Sequence, residues 1–153
     1  MGVFTQALEK IVGGKERVEA HELLLLQAMS YRVTKEKFSA LLKSHNLTLA
    51  DWFLLGLLYN ATEGSRSSYI SEKLGVEPPF VTELIQKLLK AHLVSVGQDA
   101  TDKRAKLIKL TPKGHRLIET LTRDCQPALA PILSRCSNAD IQAYVRVMRS
   151  LCD

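Results

Sequence analysis

Eight basic residues (Lys87, Lys90, Lys103, Arg104, Lys106, Lys109, Lys113 and Arg116) fall between positions 87 and 116, against two acids, Asp99 and Asp102. That surplus exceeds the +5 of the whole 153-residue chain, so its basicity is concentrated rather than spread. Cationic side chains at that density suit a polyanion, above all the phosphate backbone of nucleic acid. Other chemistries find little support. No phosphate-cradling glycine loop, nucleophile elbow or paired metal motif occurs, so an enzyme is not expected and no cofactor is implied. The four histidines (His21, His45, His92, His115) are scattered, and no Cys/His pair has ligand spacing, so no metal site is expected. Cys125 and Cys136 each have an arginine within two positions, Arg123 and Arg135, which makes them the candidate redox thiols. Cys125 also falls on an apolar stripe, which favours an inert, buried thiol.

The elements that would position the basic stretch are mostly helical. With 46% hydrophobic residues the composition is that of a globular chain, not of a disordered or fibrous one. The length fits one compact domain, or one domain with flanking helices. Three cysteines, all in the last third, make no secreted disulfide framework. The start, MGVFTQALEKIVGGKERVE, lacks the apolar core of a signal peptide, and Gln6 departs from the myristoylation pattern. The longest uncharged apolar stretch, Trp52 to Thr62, is too short to span a bilayer. A soluble cytoplasmic protein with no membrane partner is expected.

Residues 16–44 read as a long helix, rich in Leu, Glu, Lys and Ala, in which the run Leu23–Leu26 implies burial on more than one side. Thr48 and Asp51 have capping-box spacing ahead of Trp52–Leu58, which is apolar almost all round, as a central core helix is. A polar break at Thr62–Ser65 precedes a short helix over about Ser67–Leu74. Gly75 ends it and Pro78-Pro79 restart the chain as a helix running to about His92. Helix, short turn containing glycine, helix is the layout of a helix-turn-helix.

In the second of those helices Val81, Leu84, Ile85, Leu88 and Leu89 form a core stripe. Pro79, Phe80, Thr82, Glu83, Gln86, Lys87 and Lys90 are the candidates for contact with a major groove. The same periodicity also fits an ordinary solvated surface helix. Arg66, Ser67 and Ser68, at the start of the first helix, are further candidates for DNA contact. Leu93–Val96 and Leu107–Leu110 then read as two short strands around a charged tip, a β-hairpin placed as a wing. Thr111 caps a helix that Pro112 opens. Leu117, Ile118, Leu121 and Cys125 make one C-terminal stripe, and Ile141, Tyr144, Val145, Met148 and Leu151 another, with Ser137 or Asn138 as cap. Pro127 and Pro131 are expected to kink or break the chain between them.

Residues Asn46 to Gly114, taken in order, resemble the MarR family of bacterial winged-helix transcription regulators. Asp102-Lys103-Arg104 followed by Leu110-Thr111-Pro112-Lys113-Gly114 is similar to the family's D-x-R wing motif and trailing L-T-x-x-G. Ile70–Val76, and Val81-Thr82 with Leu84, Leu88 and Leu93-Val94, resemble its two reading helices. The resemblance implies a mainly α fold with a small β-hairpin wing. A winged helix-turn-helix core (46–114) would be flanked by N-terminal (1–45) and C-terminal (115–153) dimerisation helices. It further implies a homodimer on double-stranded DNA with a palindromic operator, Arg104 organising the wing with Asp102, and Lys103 and Lys106 reaching phosphate or minor groove. A repressor released by a small aromatic or lipophilic effector is the expected function, with Tyr31, Phe38, His45, Trp52 and Phe53 as candidate pocket residues. Glu83, Pro78, Pro79 and Phe80 depart from the family's usual recognition-helix residues, which shifts specificity toward Thr82, Gln86 and the wing. Two rivals stand beside this reading: a winged-helix protein–protein interaction module using Phe80 and Glu83, and a cysteine-based redox-sensing regulator.

Overall fold

A computed structural model describes residues 20–98 and 105–152. Its elements are α1 (Ala20–Lys43), α2 (Leu49–Tyr59), β1 (Ser65–Arg66), α3 (Ser67–Leu74), α4 (Pro78–Lys90), β2 (Val94–Gln98), β3 (Lys106–Leu110), α5 (Pro112–Leu133) and α6 (Asn138–Cys152). The chain divides into two compact units, with the boundary between Lys37 and Phe38.

In the first unit, α1 presents Leu23, Leu24, Leu25 and Leu26 at 50–65% exposure, with Met29 and Val33 exposed beside them. This corrects the expectation that the leucine run is buried on more than one side. Four consecutive leucines at 3.6 residues per turn cover more than half the circumference of a helix. Hiding them takes a surface that the described residues do not supply.

The second unit is built on α2. Thr48 is its N-cap: the Asp51 amide donates to Thr48 Oγ1 (3.2 Å) and the Thr48 amide donates to Asp51 Oδ2 (2.7 Å), the reciprocal box expected from the sequence. Leu54, Leu55 and Leu58 are almost wholly buried, against Leu42 ahead of them, Ile70 of α3, Val81 and Leu88 of α4, Ile108 of β3 and Leu121 of α5. One helix thus serves as floor for α3, α4, β3 and α5, which is why it is apolar on nearly all sides.

The sheet is antiparallel with order β1–β3–β2. Val94 pairs with Leu110 and Gln98 with Lys106, the hairpin expected. A third strand joins it, because Ser65 pairs with Ile108 and Arg66 with Leu107. Thr62–Ser65 is therefore not simply a polar break, since its last residue starts a strand. Two residues are too few to show an alternating pattern.

At α5, Thr111 accepts a hydrogen bond from the Gly114 amide (3.1 Å) while its hydroxyl donates to the His92 carbonyl (2.8 Å). The helix then runs from Pro112 to Leu133 with Pro127 and Pro131 inside it, so of the expected kink or break the break does not occur. The two prolines stand four residues apart, so the donor that Pro131 lacks is the one Pro127's own carbonyl would accept. The damage is confined to the Arg123 and Pro127 carbonyls, and the Ser134 amide resumes the ladder at Ala130 (2.9 Å).

Ser137, one of the two residues expected to cap α6, accepts from the Asp140 amide (3.2 Å), and its own amide donates to Asp140 Oδ2 (3.0 Å). The Ser137 hydroxyl, and then its amide, hold the Asp140 carboxyl below the usual carboxylate range. Of the expected α6 stripe, Ile141 and Met148 are half-buried, whereas Tyr144 and Val145 are exposed, as is Val147 outside it.

Candidate nucleic-acid interface and adjoining groove

Gly75 closes α3 with φ +63°, the left-handed conformation glycine adopts without penalty, and the Val76 amide returns to the Ser71 carbonyl (3.2 Å). Two residues later Pro78 opens α4, its fixed φ suited to a first turn. Val81, Leu84, Ile85 and Leu88 pin α4 to the core. Pro79, Phe80, Thr82, Glu83, Gln86, Lys87 and Lys90 are all exposed, so a 13-residue helix offers one polar face to solvent. Arg66, Ser67 and Ser68 are exposed at the entry to α3, and Lys106 is exposed where β3 leaves the wing. Asp102, Lys103 and Arg104 lie outside the described residues.

Not every expected DNA contact is uncommitted. The Thr82 hydroxyl donates to the Pro78 carbonyl within α4 (3.1 Å). Lys113 donates to the Ala91 carbonyl at the end of α4 (2.8 Å), a favourable place for a cation. Lys109 stands 3.8 Å from Glu63. Lys87 is paired through its ammonium with Asp51 Oδ2 of α2. Lys90, Lys106 and Arg116 are the other described members of the basic stretch, and all three are exposed.

Between α2 and α5 lies an open groove of roughly 600 Å³, lined by Trp52, Phe53, Gly56, Tyr59 and Asn60 on one side and Ile118, Glu119 and Thr122 on the other. Of the five residues proposed from sequence as a pocket, Trp52 and Phe53 line it. Phe38 packs on Trp52, with ring centroids 5.1 Å apart, and His45 faces Asp124 at 3.6 Å. Tyr31 belongs to the first unit, where Lys35 stands 6.0 Å over its ring. The six other lining residues were missed by sequence reasoning. Their spacing carried a signal: positions 52, 56, 59 and 60 share one face of α2, and 118, 119 and 122 share one face of α5.

Cys125 is buried and Cys136 is exposed. Burial, and then the neighbouring Asp124 carboxylate, push the Cys125 thiol above its ordinary pKa, so less of it is thiolate at any pH near neutral. In a Cys152→Ser background at pH 8, a disulfide reagent is expected to label Cys136 first, with Cys125 slower by at least about tenfold. Equal rates would show that Cys125 is accessible and activated. Among the described residues no group of three His, Cys, Asp or Glu could hold a metal ion, and no helix is long and apolar enough to cross a membrane.

A family model described as MarR family matches residues 45–105, a span that includes α2, α3, α4 and the start of the wing. A curated HTH-type transcriptional regulator of Staphylococcus aureus strain Mu50 is 26% identical over 123 residues, covering 79% of this chain and 84% of its own length. Over this span the chain is similar to the MarR family. Among solved structures, MarR-type architecture recurs in S. aureus MepR, described as a transcription regulator of the multidrug efflux pump MepA. It is 26% identical with TM-score 0.66, covering 84% of this chain and 96% of MepR. MepR in complex with DNA matches with TM-score 0.69 over 83% of this chain and 94% of that one. CouR of Rhodococcus jostii RHA1, solved with p-coumaroyl-CoA, is 18% identical with TM-score 0.79 over 90% of this chain and 96% of its own, and so shares the fold. These likenesses support a winged-helix transcriptional regulator of MarR type. Its curated relatives are regulators rather than enzymes. Neither the protein-interaction module nor the cysteine sensor is favoured.

Proposed function

We propose that this regulator is a cytoplasmic, non-catalytic homodimeric repressor that binds a palindromic operator and is released when a small aromatic or lipophilic molecule occupies the groove between α2 and α5. In this reading 46–114 is the DNA-binding domain, and 1–45 and 115–153 supply dimerisation helices. The supporting observation is the outward face of α4, exposed along a helix whose inner face is anchored in the core. Phe80, Thr82, Glu83 and Gln86 would meet base edges, while Lys90, Lys106 and the wing residues Lys103 and Arg104 would meet phosphate or minor groove. MepR, 26% identical, has been solved with DNA, which supports the same partner here.

Selection of duplexes from a random pool on the purified protein tests the reading. An enriched inverted repeat with half-sites about 10 bp apart is expected, because a two-fold dimer places its two reading helices one turn of DNA apart. Recovery of no preferred sequence would overturn it.

The groove supports the effector half of the reading. Its walls hold three aromatic side chains and one carboxylate, Glu119, with no cationic side chain among the lining residues. Gly56 sits in mid-helix at its floor, where an added Cβ would meet nothing within 4 Å. A glycine there costs α2 roughly 0.5–1 kcal/mol relative to alanine. Gly56→Ala is therefore expected to stabilise the protein by about that amount in urea unfolding. Gly56→Leu, which fills the groove, is expected to bind the operator as well as wild type while losing release by effector. A Gly56→Leu protein that remains fully inducible would remove the groove from the mechanism.

A further inference from the structure

Lys87 lies on the reading helix, yet its ammonium is engaged by a residue of the core. Asp51 is fully buried, and its Oδ2 accepts from the Thr48 amide, from the Thr48 hydroxyl (2.8 Å) and from Lys87 Nζ. Its other oxygen, Oδ1, is buried with no partner among the described residues. A carboxylate removed from water this completely needs a cation, and among the described residues Lys87 alone is paired with it. Lys87 is itself about half exposed, so its methylene stem spans from the surface of α4 to the first turn of α2. Counted around α4 at 3.6 residues per turn, Lys87 stands beside the buried Leu84 and Leu88, whereas Glu83, Gln86 and Lys90 point away from them.

We propose that Lys87 is a positioning residue and not a phosphate contact: the Asp51–Lys87 pair fixes the rotation of α4 on α2, and so the angle at which the polar face meets a major groove. The apolar stripe of α4 is tolerant of small rolls, because aliphatic contacts are non-directional. A charge-assisted hydrogen bond from the flank of the helix is directional and has one seat. Asp51 also directly precedes Trp52 and Phe53, which line the groove, so the pair is the joint between the groove wall and the reading helix.

This inference rests on the DNA-binding reading and is tested separately from it. Wild type, Lys87→Met, Asp51→Asn/Lys87→Met and Lys90→Met are compared by fluorescence anisotropy on a duplex selected by wild type and on poly(dI-dC), across a series of salt concentrations. Thermal melting confirms that each is folded. Lys87→Met is expected to weaken binding to the selected duplex about tenfold and binding to poly(dI-dC) less than twofold. Its log–log salt slope should stay at the wild-type value, because no phosphate contact is lost. The double variant, which leaves no unpaired buried carboxylate, is expected to behave the same way, and it decides the matter if the single variant does not fold. Lys90→Met is expected to weaken both probes alike and to lower the slope by about 0.9, the signature of one lost phosphate contact. If Lys87→Met instead lowers the slope by that amount and weakens both probes equally, Lys87 is a phosphate contact and the proposal fails. Unchanged binding of a folded variant to both probes would make the pair a purely structural one, and would also overturn it. If wild type selects no duplex at all, the operator reading falls first, and this inference with it.

Discussion

Replacing Leu24 and Leu25 together by glutamate is expected to yield monomers and to weaken binding to the selected inverted repeat by a hundredfold or more. The two leucines are 65% and 56% exposed in the single chain, so the substitutions remove little intrachain packing. In the proposed dimer the same side chains would be buried. Each leucine then contributes on the order of 2 kcal/mol, and each glutamate brings an unpaired charge to a dry surface. Losing the second reading head removes the intramolecular advantage of binding two half-sites, an effect of about 10²–10⁴ in affinity. Light scattering after size exclusion reads the mass, and anisotropy on whole and half operators reads the affinity. A monomer that still binds the whole operator as tightly as wild type would dissolve the link between dimerisation and recognition. A persistent dimer would point instead to the exposed Tyr144, Val145 and Val147 of α6.

Gly114→Ala is expected to cost about 3 kcal/mol of stability, a fall in melting temperature of roughly 10 °C, through one steric contact. A Cβ at this position would stand 2.2 Å from the Leu93 carbonyl oxygen and 3.1 Å from Leu110 Cδ2. The flexible leucine could yield, but the carbonyl is held by the Thr111 amide (3.0 Å) and hydroxyl (3.2 Å). Relief would require α5 to retreat from the point where the chain enters the wing. Gly97→Ala is the control, since its added Cβ would meet nothing within 4 Å. Thermal and urea unfolding of the two variants give the comparison. A loss below about 1 kcal/mol for Gly114→Ala would mean the junction is more compliant than its geometry implies.

Gly114 also shows what the sequence could and could not reveal. Its place after Leu110-Thr111-Pro112-Lys113 carried the family resemblance, but nothing in the spacing said that a carbonyl from the far side of the hairpin passes beside it. The helix-turn-helix was legible because its signals are local: the stripe at Val81, Leu84, Ile85 and Leu88, the glycine at 75, the proline at 78. The Thr48–Asp51 capping box was legible for the same reason.

What escaped was decided by distant partners. Ser65-Arg66 is a strand only because β3 offers it an edge. Lys87 read as one more outward lysine, because its partner lies 36 residues earlier in the chain. The groove needed two helical faces to be brought together, and only Trp52 and Phe53 were chosen in advance. Leu23–Leu26 misled in the opposite direction: apolarity predicted burial without saying that another surface is required.

The Asp51–Lys87 pair also constrains how this protein can change over generations. Losing the lysine alone strands a buried carboxylate, and losing the carboxylate alone removes the reciprocal half of the Thr48–Asp51 capping box and leaves a half-buried ammonium facing the core. Both single steps descend, whereas a paired replacement by an uncharged cap and an apolar side chain of similar volume can be close to neutral. The two positions are therefore expected to drift together or not at all. A descendant that reads a different operator would reach it more easily through Phe80, Thr82, Glu83 and Gln86, each of which can be exchanged without a partner having to follow.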